Sequence, residues 1–326
     1  MNIWHLSDGK AGHVAQARGL FVALERAGQT VHVLDIQSKD LSRLALFFYG
    51  ISGGRVGQLP QILADALQQQ GAPDLIVGIG HATHLVLILL RRCFPASKSV
   101  VLMRPSLPLA WFDYALMPAH DFSVPTPPMP SKVFISQGVL NPLQNEHRHV
   151  PGQHLILLGG ASKRFDWSDV LMLDQLQSLL QRLLADAEVT SIWLTTSRRT
   201  PSHFIETLRG ALGAERVSRI HLCPVDETPR GWLFEQLQLA DVVWVTQDSG
   251  SMLFEALTAG CRVGVLAMQQ IKTDTVTQAT DVLLSMRRFL PVSAYFAGET
   301  FAPVEPVAEA DRAAVWLLTR LHEDHM

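Results

Sequence analysis

Cysteine is scarce in this chain of 326 residues: Cys93, Cys223 and Cys261 are scattered, odd in number and free of any C-x-x-C spacing. That excludes a disulfide framework and a zinc knuckle, and it fits a reducing compartment. Charge is thin as well, at 17% of residues, with 27 Lys and Arg against 30 Asp and Glu for a net charge of -3. Nothing in that balance drives the chain toward nucleic acid or anionic membranes, although local patches can still be basic. Long apolar runs are missing too. The most apolar segment, Leu85 to Leu90, runs straight into Arg91-Arg92 and falls well short of the ~20 residues needed to span a bilayer. It reads as a buried helix with a charged end. The strand-like N-I-W-H-L follows Met1 so closely that no signal core or transit peptide fits before it, so the expected location is the cytoplasm, including a peripheral place at the inner face of a membrane.

Hydrophobic residues, by contrast, make up 48% of the chain, which indicates a well-buried globular protein of two domains of roughly 150 residues each. The organising stretch is V-V-W-V-T-Q-D-S-G-S-M-L-F-E-A-L-T-A-G-C-R-V-G-V-L, Val242 to Leu266. A valine-rich run ends in a polar loop, a run with helical spacing follows, and Gly260 closes it before another apolar run. In such a strand, loop, helix and strand, the loop amides and small hydroxyls at the positive end of the helix dipole suit an anion such as a diphosphate. Glu255, one turn inside, is placed to accept hydrogen bonds from a ribose. Alternatively, Ser249 or Ser251 simply caps the helix. The residues alone leave both readings open.

The same rhythm begins at the N-terminus. Ile3 to Leu6 reads as a strand, S-D-G-K-A-G-H as a loop, Val14 to Ala27 as a helix and Val31 to Ile36 as the next strand. A β-loop-α-β unit puts its loop at the carboxyl edge of a parallel sheet, the ligand edge of open α/β folds. A solvated turn needs its glycines, but it does not need Asp8, Lys10 and His13 together. The Walker spacing is absent. Leu75 to Gly80 is a strand ending in G-x-G before His81, with His84 one turn on, and Ser99 to Met103 leads to Arg104-Pro105. Phe47-Phe48-Tyr49, beside Gly50, Gly53 and Gly54, reads as core, the alternative being a patch that buries an acceptor or touches a membrane. Phe122 to Ser131 is too rich in proline for regular structure.

The second half restarts after Val150. His154 to Leu158 leads into Gly159-Gly160-Ala161-Ser162-Lys163, and the Ser191 strand into Thr196-Ser197-Arg198-Arg199-Thr200, with Pro201 opening a helix from Ser202. Two arginines beside hydroxyls at the positive end of a helix suggest a diphosphate clamp, because without an anion that placement is mildly unfavourable. The expected domains are 1–149 and 150–304, with a C-terminal helix in 305–326 that packs back on the first.

Together S-D-G-K-A-G-H-V-A-Q, F-D-Y-A-L-M-P-A-H-D, L-G-G-A-S-K, T-T-S-R-R-T-P and V-T-Q-D-S-G-S-M-L-F-E-A resemble the family named for plant mitochondrial fission factors, whose bacterial members are described as candidate glycosyltransferases. The resemblance implies an α/β GT-B-like fold, two Rossmann-like doubly wound parallel-sheet domains facing a cleft. It also implies a nucleotide-sugar donor on the second domain, and the polar strand ends read above then place donor binding at Gly160, Lys163, Ser197, Arg198, Arg199, Thr200, Asp248, Ser249, Gly250, Ser251, Met252 and Glu255. The S-G-S-M-x-x-E-A-L pattern is similar to a GT-B donor site, in which the glutamate holds the ribose. Gly9, Lys10, Gly12, Gly80, His81 and Arg104 fall on the acceptor side, where G-K-A-G-H replaces the tighter G-G-H of cell-wall transferases. Asp8 or His13 is then the base that deprotonates the acceptor in an inverting reaction. No metal or other cofactor is expected, since GT-B enzymes generally work without one and no D-x-D motif stands at a suitable strand end. The expected acceptor is lipid-linked or a cell-surface glycan. Two rivals use the same features: a nucleotide-sugar epimerase or hydrolase, and a non-enzymatic scaffold that recruits a partner as fission factors do.

Overall fold

The computed structural model describes residues 1–51, 60–122, 130–212, 218–274, 277–278, 281, 284, 287–305 and 307–324. Gly53, Gly54 and most of the proline-rich run lie outside the described residues. The chain divides into two compact units, 1–142 with 308–326, and 143–307. The division falls at Pro142/Leu143, where the sequence reading set 149/150.

In the first unit β1 (Asn2–Ser7), β2 (His32–Gln37), β3 (Leu75–Ile79), β4 (Lys98–Leu102), β5 (Tyr114–Pro118) and β6 (Val133–Ser136) form one sheet in the order β2-β1-β3-β4-β5-β6. All pairings are parallel. Parallel strands covered on both faces read as unbroken apolar runs, and β3, L-I-V-G-I, is buried throughout. Alternation along β1 sorts the two cores. Ile3 packs with Leu20 and Leu24 of α1 (Ala11–Arg26) and with Ala313 and Leu317 of the C-terminal helix Glu309–Glu323. Trp4 and Leu6 face α2 (Arg43–Ile51), α3 (Gln61–Gln70) and α4 (His84–Cys93) through Leu46, Leu63 and Val86. Arg26 pairs with Asp311 at 2.7 Å, tying the C-terminal helix to α1.

In the second unit the main strands are β7 (Val150–Leu158), β9 (Ser191–Thr196), β10 (Ile220–Cys223), β11 (Ala240–Thr246), β12 (Arg262–Leu266) and β14 (Leu290–Pro291). They form a parallel six-stranded sheet in the order β10-β9-β7-β11-β12-β14. Helices α5 (Asp169–Ala185) and α6 (Phe204–Leu212) bury Leu176, Leu179 and Phe204 against one face, and α7 (Trp232–Leu239) leads into β11. The short β8 (Phe165–Asp166) and β13 (Gln269–Gln270) pair antiparallel outside it. Among the described residues no helix is long and apolar enough to cross a membrane.

One correction concerns α2. Its aromatics do not join the core: Phe47 and Phe48 are 42% and 50% exposed, because Leu46 and Gly50 occupy the face turned to α4.

Candidate functional site

Open α/β sheets bind ligands at the carboxyl edge where the strand order reverses. In the second unit that point lies between β7 and β11, whose loops begin at Gly159 and Gln247. Thr246 Oγ1 accepts the Gly159 N–H at 2.7 Å. The Asp248 side chain is 0% exposed, and its Oδ2 takes Arg199 Nη1 at 2.5 Å. The same oxygen accepts the Gly160 N–H at 3.1 Å, while Oδ1 has no partner among the described residues. Gly160 must be glycine for a steric reason: a Cβ there would lie 2.0 Å from the Arg199 carbonyl oxygen.

Above this knot opens a cavity of about 410 Å³, lined by Lys163, Arg199, Gln247, Asp248 and Gly250 among others. Its floor includes the first turn of α8 (Gly250–Ala259). Ser249 sits at the N-cap position but makes no side-chain cap bond and is buried, so it does not cap the helix. The N–H groups of Gly250, Ser251 and Met252 have no protein acceptor among the described residues. Open amides at the positive end of a helix are groups to which an anion can bind. A Cβ on Gly250 would meet nothing within 4 Å, so the approach to these amides is open. Lys163 is exposed and unpaired among the described residues.

Other donor-side residues are engaged within the protein itself. Ser197 and Thr200 turn inward: Thr200 Oγ1 donates toward the Leu158 and Gly159 carbonyls at 3.0 and 2.5 Å. It also accepts the Ser197 N–H at 2.9 Å, and Ser197 Oγ takes the Arg199 N–H. These hydroxyls close the β9 loop onto β7. Helix α6 begins at Phe204 rather than Ser202, so the arginines stand away from its first turn. Arg199 is balanced by Asp248 without any ligand, which removes the dipole argument for the pair. Arg198 is exposed and lies outside the cavity lining. The sequence reading missed Arg164 and Gln247. Arg164 Nε meets both oxygens of Asp274 at 2.8 Å, fixing the Lys163 loop; its only signal was its place directly after Lys163.

Glu255 stands on α8 without a hydrogen-bond partner among the described residues. Burial pushes its carboxyl up to about 7.

The first unit has its own reversal point, between β1 and β3. Here the Asp8 carboxylate, 5% exposed, meets His13 Nδ1 at 3.0 Å through both oxygens. It also accepts the Lys10 N–H at 3.2 Å and meets Lys10 Nζ at 3.2 Å. Burial alone would raise the Asp8 pKa, but the Lys10 amide and ammonium and the neighbouring His13 outweigh it and hold the carboxyl below its usual value. With Nδ1 turned to Asp8, Nε2 is the His13 nitrogen left for a substrate. Gly80, with φ +87°, packs on this pair: a Cβ would lie 2.7 Å from both Asp8 Oδ2 and His13 Nδ1. Gly9, also at positive φ, turns the loop, and Gly12 lies on the exposed side of the first turn of α1.

His81 joins a cluster that the sequence did not reveal. Its Nδ1 is 2.7 Å from Ser106 Oγ, and His84 Nδ1 is 3.1 Å from the same oxygen. Burial, then the nearby His81, lowers the His84 pKa, keeping its ring neutral and able to accept. Arg104 is used elsewhere, donating from its backbone N–H and Nη1 to Asp121 and lying over the Phe122 ring. It is not brought to the Asp8–His13 pair.

Among the described residues no three His, Cys, Asp or Glu side chains gather as a metal site. The model of the family described as Mitochondrial fission ELM1 matches residues 11–321. An uncharacterized protein of Rickettsia prowazekii (strain Madrid E) is 25% identical, over 80% of this chain and 81% of that one. Among solved structures, the glycotransferase of kitacinnamycin is 13% identical and covers 100% of this chain and 99% of its own, with a TM-score of 0.51. MurG of Acinetobacter baumannii is 12% identical over 98% and 90%, with a TM-score of 0.47. Together with the two parallel six-stranded sheets, the kitacinnamycin enzyme identifies an α/β fold of the GT-B kind.

Proposed function

Because this chain belongs to the Mitochondrial fission ELM1 family, we propose that it is a glycosyltransferase whose second unit binds the diphosphate of a nucleotide sugar. The observation that carries the reading is the cavity at the β7–β11 reversal, where Lys163, Arg199 and the open first turn of α8 share one space. Three amides without a protein acceptor, beside a lysine that has no ion pair among the described residues, suit the negative charge of a diphosphate.

The acceptor hydroxyl gives its proton to His13 Nε2 as its oxygen attacks the anomeric carbon. Asp8 orients the ring and supports the imidazolium, a positioning role, since its carboxylate is already held by Lys10 and His13. The bond from the anomeric carbon to the diphosphate breaks, and the diphosphate leaves with the electron pair. Lys163, the exposed part of Arg199 and the α8 amides neutralise the charge that develops there. A single displacement of this kind inverts the anomeric centre. In this scheme positive charge at the leaving group comes from the protein, so no metal is called on. Glu255 accepts hydrogen bonds from the ribose.

The test is thermal unfolding with UDP, GDP, CDP, dTDP and ADP sugars, on the native chain and on Glu255→Gln. A donor at 100 times its dissociation constant adds about 2.7 kcal/mol to the native chain. The variant loses that response yet gains intrinsic stability at alkaline pH. Its sign follows from a folded-state pKa of about 7 against 4.5 in the unfolded chain. The folded chain holds the extra proton between those values, so native stability is highest below the unfolded value and falls as pH rises toward 7. Removing the carboxylate returns at most about 3 kcal/mol at pH 8 and nothing at pH 4. Unchanged unfolding with every nucleotide sugar contradicts the transferase and favours a scaffold. Binding followed by epimerised or hydrolysed donor, with no acceptor product, favours the other rival.

A further inference from the structure

Helix α2 is held by one face and, among the described residues, exposed on the other. Leu46 is fully buried, and Gly50 lies against Arg92 and Cys93 of α4. On the opposite side Leu44, Phe47 and Phe48 are 72%, 42% and 50% exposed, the two rings meeting edge to face at 5.7 Å. A leucine and two phenylalanines grouped on one short helix are more than the scattered apolar residues normal to a surface. Their surroundings are basic although the chain as a whole is acidic, at -3. Arg43 on the helix, Lys39 in the turn before it and Arg92 on α4 are exposed and form no ion pair among the described residues. Asp40 is the acidic neighbour. That turn, Ser38–Asp40, packs on the turn His81–Thr83, so the patch adjoins the sheet edge that carries Asp8 and His13.

We infer that the outer face of α2 docks on an anionic lipid bilayer. Leu44, Phe47 and Phe48 enter the boundary between headgroups and acyl chains, while Lys39, Arg43 and Arg92 meet the lipid phosphates. Neither half suffices for stable binding, and a surface that pairs apolar anchors with unpaired cations matches a membrane carrying negative charge. The inference stands apart from the chemistry proposed above.

Co-sedimentation with vesicles tests it, using phosphatidylcholine alone and phosphatidylcholine mixed with phosphatidylglycerol. The native chain is expected to bind the mixed vesicles and to lose binding as salt rises. Arg43→Glu with Arg92→Glu weakens it at least about twentyfold, taking roughly fivefold per basic side chain. Phe47→Ser with Phe48→Ser weakens binding while leaving unfolding temperature and the nucleotide response unchanged, since both rings are on the surface. No binding to mixed vesicles, or equal binding by the native chain and both variants, overturns the inference. So does light scattering that shows a dimer which the Phe47→Ser, Phe48→Ser variant dissociates, because a second copy then covers the face. Vesicle binding without any nucleotide response sinks the transferase and leaves the membrane surface in place.

Discussion

Arg199→Ala is expected to destabilise the second unit by about 3 kcal/mol in urea unfolding, a loss typical of a buried charge deprived of its partner. The Asp248 carboxylate is 0% exposed and leans on Arg199 at 2.5 Å. Without the guanidinium it keeps, among the described residues, only the Gly160 N–H. Adding Asp248→Asn should recover most of the loss, because the double variant buries no net charge. The same single variant should also weaken nucleotide binding, and here the pair of changes separates two roles. If Arg199 touches the diphosphate, the double variant regains stability but not affinity. If Arg199 only shapes the β7 loop through Gly160, affinity returns along with stability. An Arg199→Ala variant as stable as the native chain, with full affinity, removes both roles.

His13→Ala should lower the transfer rate by about 10²- to 10⁴-fold, the usual contribution of a positioned general base. Nucleotide affinity should stay as it was, because the second unit is untouched. Asp8→Asn should also slow the reaction, through loss of ring orientation. Full activity in His13→Ala moves the base elsewhere, and His81 with Ser106 is then the next group at that edge.

Much of this architecture was legible in the sequence because parallel strands buried on both faces must be apolar throughout. The valine-rich β11 and the fully buried β3 announced themselves in that way. The loops after β1, β7 and β11 were legible for another reason: glycines, hydroxyls and charges at strand ends have no structural need to cluster. What such reading does not show is which of those groups are satisfied by one another. Ser197 and Thr200 look like ligands in a string of letters, yet they close a turn. Asp248 reads as a donor contact, and the string of letters does not show that it is also the buried counter-charge of Arg199, a pairing of two loops distant in sequence. Arg104 went to Asp121 for the same reason. The His81, Ser106 and His84 cluster joins segments from two strand ends, so no local spacing marks it. Phe47 and Phe48 were misjudged because aromatic content predicts burial, whereas the helix had already filled its inner face with Leu46 and Gly50.

The most direct measurement is a crystal structure with the nucleoside diphosphate that gives the largest thermal response. The account predicts the diphosphate over the first turn of α8, within hydrogen-bond distance of the Gly250 and Ser251 amides and of Lys163 Nζ. A diphosphate bound anywhere else, with those amides still open, would contradict it.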